Sequence, residues 1–193
     1  ANAILGTSIA VAQASAVFNK KPLYRNFYSS NQTKYKLPMP MMNILNGGMH
    51  ANNGLDIQEF MIIPVSSNSF YNAVRMGCEV FNTLKNILHE KNFSTAVGDE
   101  GGFAPQLSNT SAAIEIILMA IEKSGYTPGK DFLLALDCAS SEYYEDGYYY
   151  MSGEKLKLNS KEKVNFLKNL VEKYPIISIE DGMSEDDWSG WQE

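Results

Sequence analysis

Apolar side chains fall into two rhythms along this chain. In Phe70–His89, the residues Phe70, Val74, Cys78, Phe81, Leu84 and Leu88 step by three and four, the spacing of one helical stripe facing a core. Ile114, Ile117, Leu118 and Ile121 repeat it in Asn109–Lys123, and Val164, Leu167, Leu170 and Val171 repeat it in Ser160–Lys173. Asn159 with Glu162 three residues later predicts a capped start for the last of these helices. The opening Ala1–Phe18 is small and apolar, broken by Thr7, Ser8, Gln13 and Ser15, and has no basic leading residues. A packed helix is expected there rather than a signal peptide.

The second rhythm is a set of short unbroken runs of strand length: Met41–Leu45, Phe60–Val65, Thr95–Val97, Phe132–Leu136 and Ile176–Ile179. A hairpin is expected over Glu142–Leu158, where tyrosines flank Asp146-Gly147. From Phe93 onward the order reads strand, helix, strand, hairpin, helix, strand. Continuously apolar strands separated by helices predict an α/β fold with a parallel sheet covered on its faces. The polar, turn-rich stretch Asn26–Lys36 reads as a connector after the first helix.

The chemistry sits where the strands run out. Gly98-Asp99-Glu100-Gly101-Gly102 comes after Thr95–Val97, Asp137 after Leu133–Leu136, and Glu180-Asp181-Gly182 after Ile176–Ile179. In parallel α/β sheets and barrels the carboxyl ends of strands share one face, where sites form. Three acids converging there repel by roughly 4 kcal/mol per pair at 4 Å and an effective dielectric of 20. A cation between them reverses the sign, and all-oxygen ligation favours Mg²⁺ over Ca²⁺ or Mn²⁺. The plainer alternative is that each acid caps a helix or is solvated on a loop. Upstream, Asn46–Gly54 is a polar glycine loop holding His50, of the kind that closes over ligands. Asp56-Ile57-Gln58-Glu59 comes just before an apolar strand, where Glu59 could equally be an exposed edge residue. His89 ends a helix, where a cation suits the dipole.

Composition narrows the class. The 193 residues carry 16 Lys+Arg against 22 Asp+Glu, a formal charge of −6, with 45% hydrophobic residues. This excludes a disordered chain and argues against nucleic-acid binding, which wants a basic face. The sequence holds no run of 18 apolar residues that could span a membrane. Cys78 and Cys138 sit in apolar runs far apart and read as buried thiols of a reducing compartment. Neither GxGxxG nor a P-loop motif occurs.

Five segments in order resemble the enolase family. They are Leu45-Asn46-Gly47-Gly48-Met49-His50-Ala51, Ile57-Gln58-Glu59-Phe60-Met61-Ile62, Gly98-Asp99-Glu100-Gly101-Gly102-Phe103-Ala104-Pro105, Ala135–Glu142 and Ser178-Ile179-Glu180-Asp181-Gly182. The opening Ala1–Gly6 through Lys21–Tyr24 is similar too. Asp56 and Gly182 resemble bacterial members more than animal or fungal ones. The resemblance implies a lyase of glycolysis, reversibly dehydrating 2-phospho-D-glycerate to phosphoenolpyruvate with Mg²⁺ in a cytoplasmic homodimer. Some members also occur at the cell surface or in secreted form.

By the same resemblance, Asp137 and Glu180 are metal ligands, and Glu100 is the general acid with Glu59 beside it. Gln58 and Glu59 contact substrate, and His50 belongs to the closing loop. Met49 stands where many members have a small residue. The implied fold is the first part of a TIM-like barrel over 35–193, after a helical segment and connector over 1–34. The family's N-terminal α+β domain, its catalytic lysine and its third acidic ligand have no counterpart in the sequence. The chain is therefore expected to be a portion of a longer enzyme and inactive alone.

Two alternatives remain open. Lys155-Leu156-Lys157 spells the Lys-x-Lys base of racemases and cycloisomerases, although it lies in the hairpin. The other is a non-catalytic scaffold or surface-binding role.

Overall fold

The structure, a computed structural model, describes residues 1–27 and 35–193. Chain contacts divide it into two units, Ala1–Leu37 and Pro38–Glu193. The first holds helices α1 (Asn2–Phe18) and α2 (Leu23–Asn26). The expected opening helix forms, but it buries only Ala16 and leaves Ile4, Leu5, Val11 and Phe18 exposed, so it is not packed as the sequence predicted. Most of the connector predicted over Asn26–Lys36 lies outside the described residues.

The second unit contains β1 (Met42–Asn46), β2 (Glu59–Ile63), α3 (Phe70–Glu90), α4 (Thr110–Lys123) and β3 (Leu133–Asp137). After these come β4 (Tyr144–Glu145), β5 (Tyr148–Met151), β6 (Leu156–Leu158), α5 (Ser160–Lys173), β7 (Ile176–Glu180) and α6 (Trp188–Gln192). One sheet has the order β1-β2-β3-β7, and the hairpin region forms a second, β4-β5-β6. No helix among the described residues is long and apolar enough to cross a membrane.

The sheet is mixed, not parallel as the sequence predicted. β2 runs antiparallel to both β1 and β3, and only β3 and β7 are parallel. The connections explain the difference. The loop over residues 47–58 joins β1 to β2 and reverses the chain without a crossover helix, whereas α5 and the small sheet lie between β3 and β7. The run Thr95–Val97 also forms no strand. Val97 makes a single bridge to Phe103, which itself bridges to Leu45.

The two faces of the sheet differ. Phe60, Ile62, Leu134 and Leu136 pack with residues of α3 and α4 in the main core, while Met61, Ile63 and Ala135 form a small cluster on the opposite face. Alternation along the strands puts Glu59 and Asp137 on the face of Met61, Ile63 and Ala135.

The helix stripes need adjustment. α3 buries Ala73, Met76, Gly77, Val80, Leu84, Ile87 and Leu88, whereas Phe70, Val74 and Cys78 are exposed. Gly77 turns this face inward because it lies against the Met42 side chain. The expectation that both cysteines are buried thus holds for Cys138 alone.

In α5 the capping box of Asn159 and Glu162 forms as expected, but Val171 is exposed and Lys163 is fully buried. The Lys163 ammonium donates to the Tyr143 hydroxyl at 2.9 Å and lies near the rings of Tyr143, Tyr149 and Phe166. Burial lowers its pKa below the ordinary 10.5. Between that lowered value and 10.5 the unfolded chain binds more protons than the native one, so this group makes stability rise with pH across the window. At neutral pH the cost of burying the charge remains.

Lys163→Met keeps the volume and leaves the Tyr143 hydroxyl its Ser140 partner at 3.0 Å. The desolvation penalty outweighs the attraction between the ammonium and the rings. The variant is expected to gain about 1 kcal/mol at pH 7, roughly 3 °C in Tm, and to flatten the alkaline limb of a Tm-against-pH series. A lower Tm at pH 7 would show that the attraction to the rings dominates.

Candidate active site

The antiparallel course of β2 builds the site. The first residue of β2 lies at the same rim as the last residues of β1, β3 and β7. Asn46 therefore pairs with Glu59, Glu59 with Asp137, and Asp137 with Glu180. Neighbouring strands are about 4.8 Å apart, so three carboxylates stand in one row across the sheet. Asp137 and Glu180 end their strands as the sequence predicted.

Hydrogen bonds continue past the strand ends and fix this rim. Cys138 N–H donates to Glu180 O at 3.0 Å, Ser140 N–H to Asp181 O at 3.1 Å, and Ser140 Oγ to Gly182 O at 3.0 Å. Asp137 Oδ1 accepts from Ala139 N–H at 3.0 Å. Ala139 and Asp181 both have positive φ, +44° and +45°, which costs about 1 kcal/mol or more each and persists only where the surroundings enforce it.

The Asn46–Gln58 loop folds back over the row. Gly47 N–H donates to Gln58 O at 2.9 Å and Gly48 N–H to Leu55 O at 2.8 Å. Asn53, almost fully buried, donates to Asn46 O at 2.8 Å and to Pro105 O at 3.0 Å. His50, on a 3₁₀ turn, comes within 3.5 Å of Glu59 through Nδ1. That nitrogen is buried and has no hydrogen-bond partner among the described residues.

Glu100 reaches the same place from the glycine turn rather than from a strand end. Gly98 N–H donates to Gly102 O at 2.8 Å, and Gly101 takes φ +83°. A Cβ on Gly98 would strike the Asn46 side chain and the His50 carbonyl, and one on Gly102 would lie 2.7–2.8 Å from β1 atoms. These glycines allow the turn to lie directly on β1. As a result, ligand atoms of His50, Glu59 and Glu100 lie within 4.8 Å of one another.

The crowding sets the electrostatics. Burial raises the pKa of Glu59 first, and the charges of Asp137, Glu100 and Glu180 raise it further, against an opposing effect of His50. A carboxyl held protonated closer to neutral pH can act as a proton donor.

Gln58 donates its backbone N–H to Asp137 O at 3.0 Å and lines a cleft of about 400 Å³. Gly48, Met49, Tyr143 and Tyr150 line it as well, whereas His50, Glu59, Glu100, Asp137 and Glu180 are not among its lining residues. His50, Glu59 and Glu100 are thus brought into one cluster, with Asp137 and Glu180 along the row beside it. By contrast, Lys157 lies on β6 of the small sheet, its ammonium over the rings of Tyr148 and Tyr150. The Lys-x-Lys reading loses the strand context it needs.

Asn46 and Asn53 did not stand out in the sequence as organisers of the site. A buried asparagine beside a Gly-Gly or Asn-Gly pair is the signal that points to them, since such a side chain must satisfy backbone groups of neighbouring loops.

The fold is thus an open, mixed α/β sheet with acids gathered on one rim beside a glycine-bounded acidic turn. The chain matches the family model described as enolase, C-terminal TIM barrel domain, over residues 34–193. It belongs to that family, and so to a superfamily of lyases and related enzymes built on TIM-like α/β domains.

Proposed function

We propose that this chain forms the acid-bearing part of an enolase active site, interconverting 2-phospho-D-glycerate and phosphoenolpyruvate. The observation that carries the reading is the registered row of Glu59, Asp137 and Glu180 with Glu100 turned in beside it. Asp137 and Glu180 fit a hard divalent ion, being carboxylate oxygen donors paired on neighbouring strands at one rim. Mg²⁺ held there supplies positive charge against the negative charge that grows on the substrate carboxylate as its α-proton leaves.

The residues of this chain serve the other half of the reaction. Glu100, with Glu59 beside it, gives a proton to the 3-hydroxyl as its C–O bond breaks, so that the group departs as water. Gln58 orients the substrate. His50, held beside Glu59, belongs to the loop that closes on the substrate and excludes solvent. No lysine of this chain is assigned as the base that accepts the α-proton. On the same reading, the native enzyme is a cytoplasmic homodimer of bacterial type.

The test is Mg²⁺-dependent formation of phosphoenolpyruvate by the full-length natural protein, followed by absorbance. Turnover that stops with a chelator and returns with Mg²⁺ is expected. Asp137→Asn is expected to raise the Mg²⁺ concentration for half-maximal rate at least about tenfold. Turnover of a different carboxylic acid, with none of 2-phosphoglycerate, would overturn the assignment.

A further inference from the structure

The loop that carries His50 and Gln58 is fastened at one point to the small sheet, and the fastening is a carboxylate. Asp56 Oδ1 accepts from Gly153 N–H at 3.0 Å and Oδ2 from Glu154 N–H at 2.9 Å. Ser152 Oγ adds a third donor to Oδ1 at 3.5 Å. Two successive backbone amides of the β5–β6 turn thus converge on one side chain, a geometry that in other settings binds an anion. The side chain of Glu154 continues outward and accepts from Thr110 N–H at 2.6 Å, at the start of α4.

The backbones also meet. A Cβ on Gly153 would collide with the Gly54 carbonyl oxygen, so the turn lies against the loop with no side chain between them. Gly54, Asp56 and Ser152 line the same cleft as Gln58, Tyr143 and Tyr150. Asp56 is two residues from Gln58 and three from Glu59, while Met49 at the far part of the loop is exposed.

We infer that Asp56 is a positioning residue: it pins the base of the loop to the β5–β6 turn and so fixes the cleft's width at Gln58. The inference rests on the proposed activity for its kinetic consequence, but the mechanical coupling stands on geometry alone. Because the pin sets where substrate sits rather than how the proton moves, its loss acts on KM more than on kcat.

The experiment compares full-length wild type with Asp56→Ala, Asp56→Asn and Gly153→Ala, by steady-state kinetics and amide hydrogen exchange. Asp56→Ala is expected to raise KM about tenfold with kcat changed less than about threefold. It should also speed exchange in both 151–155 and 47–55. Asp56→Asn keeps one accepting oxygen and should recover part of the KM. Gly153→Ala, which displaces the turn while leaving the carboxylate intact, should reproduce the KM effect.

A lowered Tm with unchanged KM in all variants would overturn the inference, as would faster exchange at 151–155 with none in 47–55. If wild type itself fails to turn over 2-phosphoglycerate, the proposed function fails. The exchange experiment then still decides whether the two segments move together.

Discussion

Glu100→Gln in the full-length protein is expected to reduce phosphoenolpyruvate formation by about 10²–10⁴, the usual contribution of a positioned general acid. The substitution keeps the shape of the side chain and its place on the glycine turn, so the loss should fall on kcat. KM for 2-phosphoglycerate should change little, since Gln58 and the cleft are untouched. The amide cannot give up a proton to the departing hydroxyl, and Glu59 cannot substitute fully because its position is set by the sheet register with Asp137. Removing one negative charge should also ease the crowding that raises Glu59, so thermal stability should hold or rise slightly. A variant with unchanged kcat would transfer the proton-donor role to Glu59. Loss of activity with a lowered Tm would instead mark Glu100 as structural.

Gly102→Ala is expected to be strongly destabilising, by about 3 kcal/mol. Its methyl group would lie 2.7 Å from Leu45 N, 2.8 Å from Ile44 C and 2.8 Å from Asn46 Oδ1. Two of these are backbone atoms of β1, which cannot turn aside as a flexible side chain would. Relief requires the 98–103 segment to lift from the strand. That movement would break the bonds from Asn46 N–H to Phe103 O at 2.8 Å and from Phe103 N–H to Ile44 O at 3.0 Å. It would also disturb the stack of Phe103 on Phe81, whose ring centroids are 4.3 Å apart. A fall in Tm of roughly 10 °C is expected by calorimetry, and Glu100 would leave the cluster with His50 and Glu59. A loss below about 1 kcal/mol would mean that the turn is free to move.

Much of this was legible in the chain because it depends on local patterns. The helices at Phe70, Thr110 and Ser160, the capping box at Asn159, and Asp137 and Glu180 at the ends of apolar runs all come from spacing. The direction of β2 was not legible. An apolar run bounded by loops has the same composition whether its strand runs up or down, and only the long-range pairing with β1 and β3 decides. By pattern alone Glu59 therefore reads as an acid before a strand, and only the family resemblance sets it beside Glu100. Thr95–Val97 read as a strand because so short a run fits any pairing, whereas Phe103 takes the place beside Leu45. The buried Lys163 was invisible for a related reason: its partners, Tyr143 and Tyr149, come from a different part of the chain.

The reversal of β2 also makes the length of the preceding loop matter. The residues of β2 alternate between the helix side and the acid-bearing side, so a slip of one position against β3 would turn Glu59 towards α3 and place Phe60 among the acids. Exchange of an exposed residue such as Met49 is expected to be mild, whereas a single insertion or deletion between Asn46 and Glu59 that shifts the pairing is expected to turn the whole acid-bearing face over.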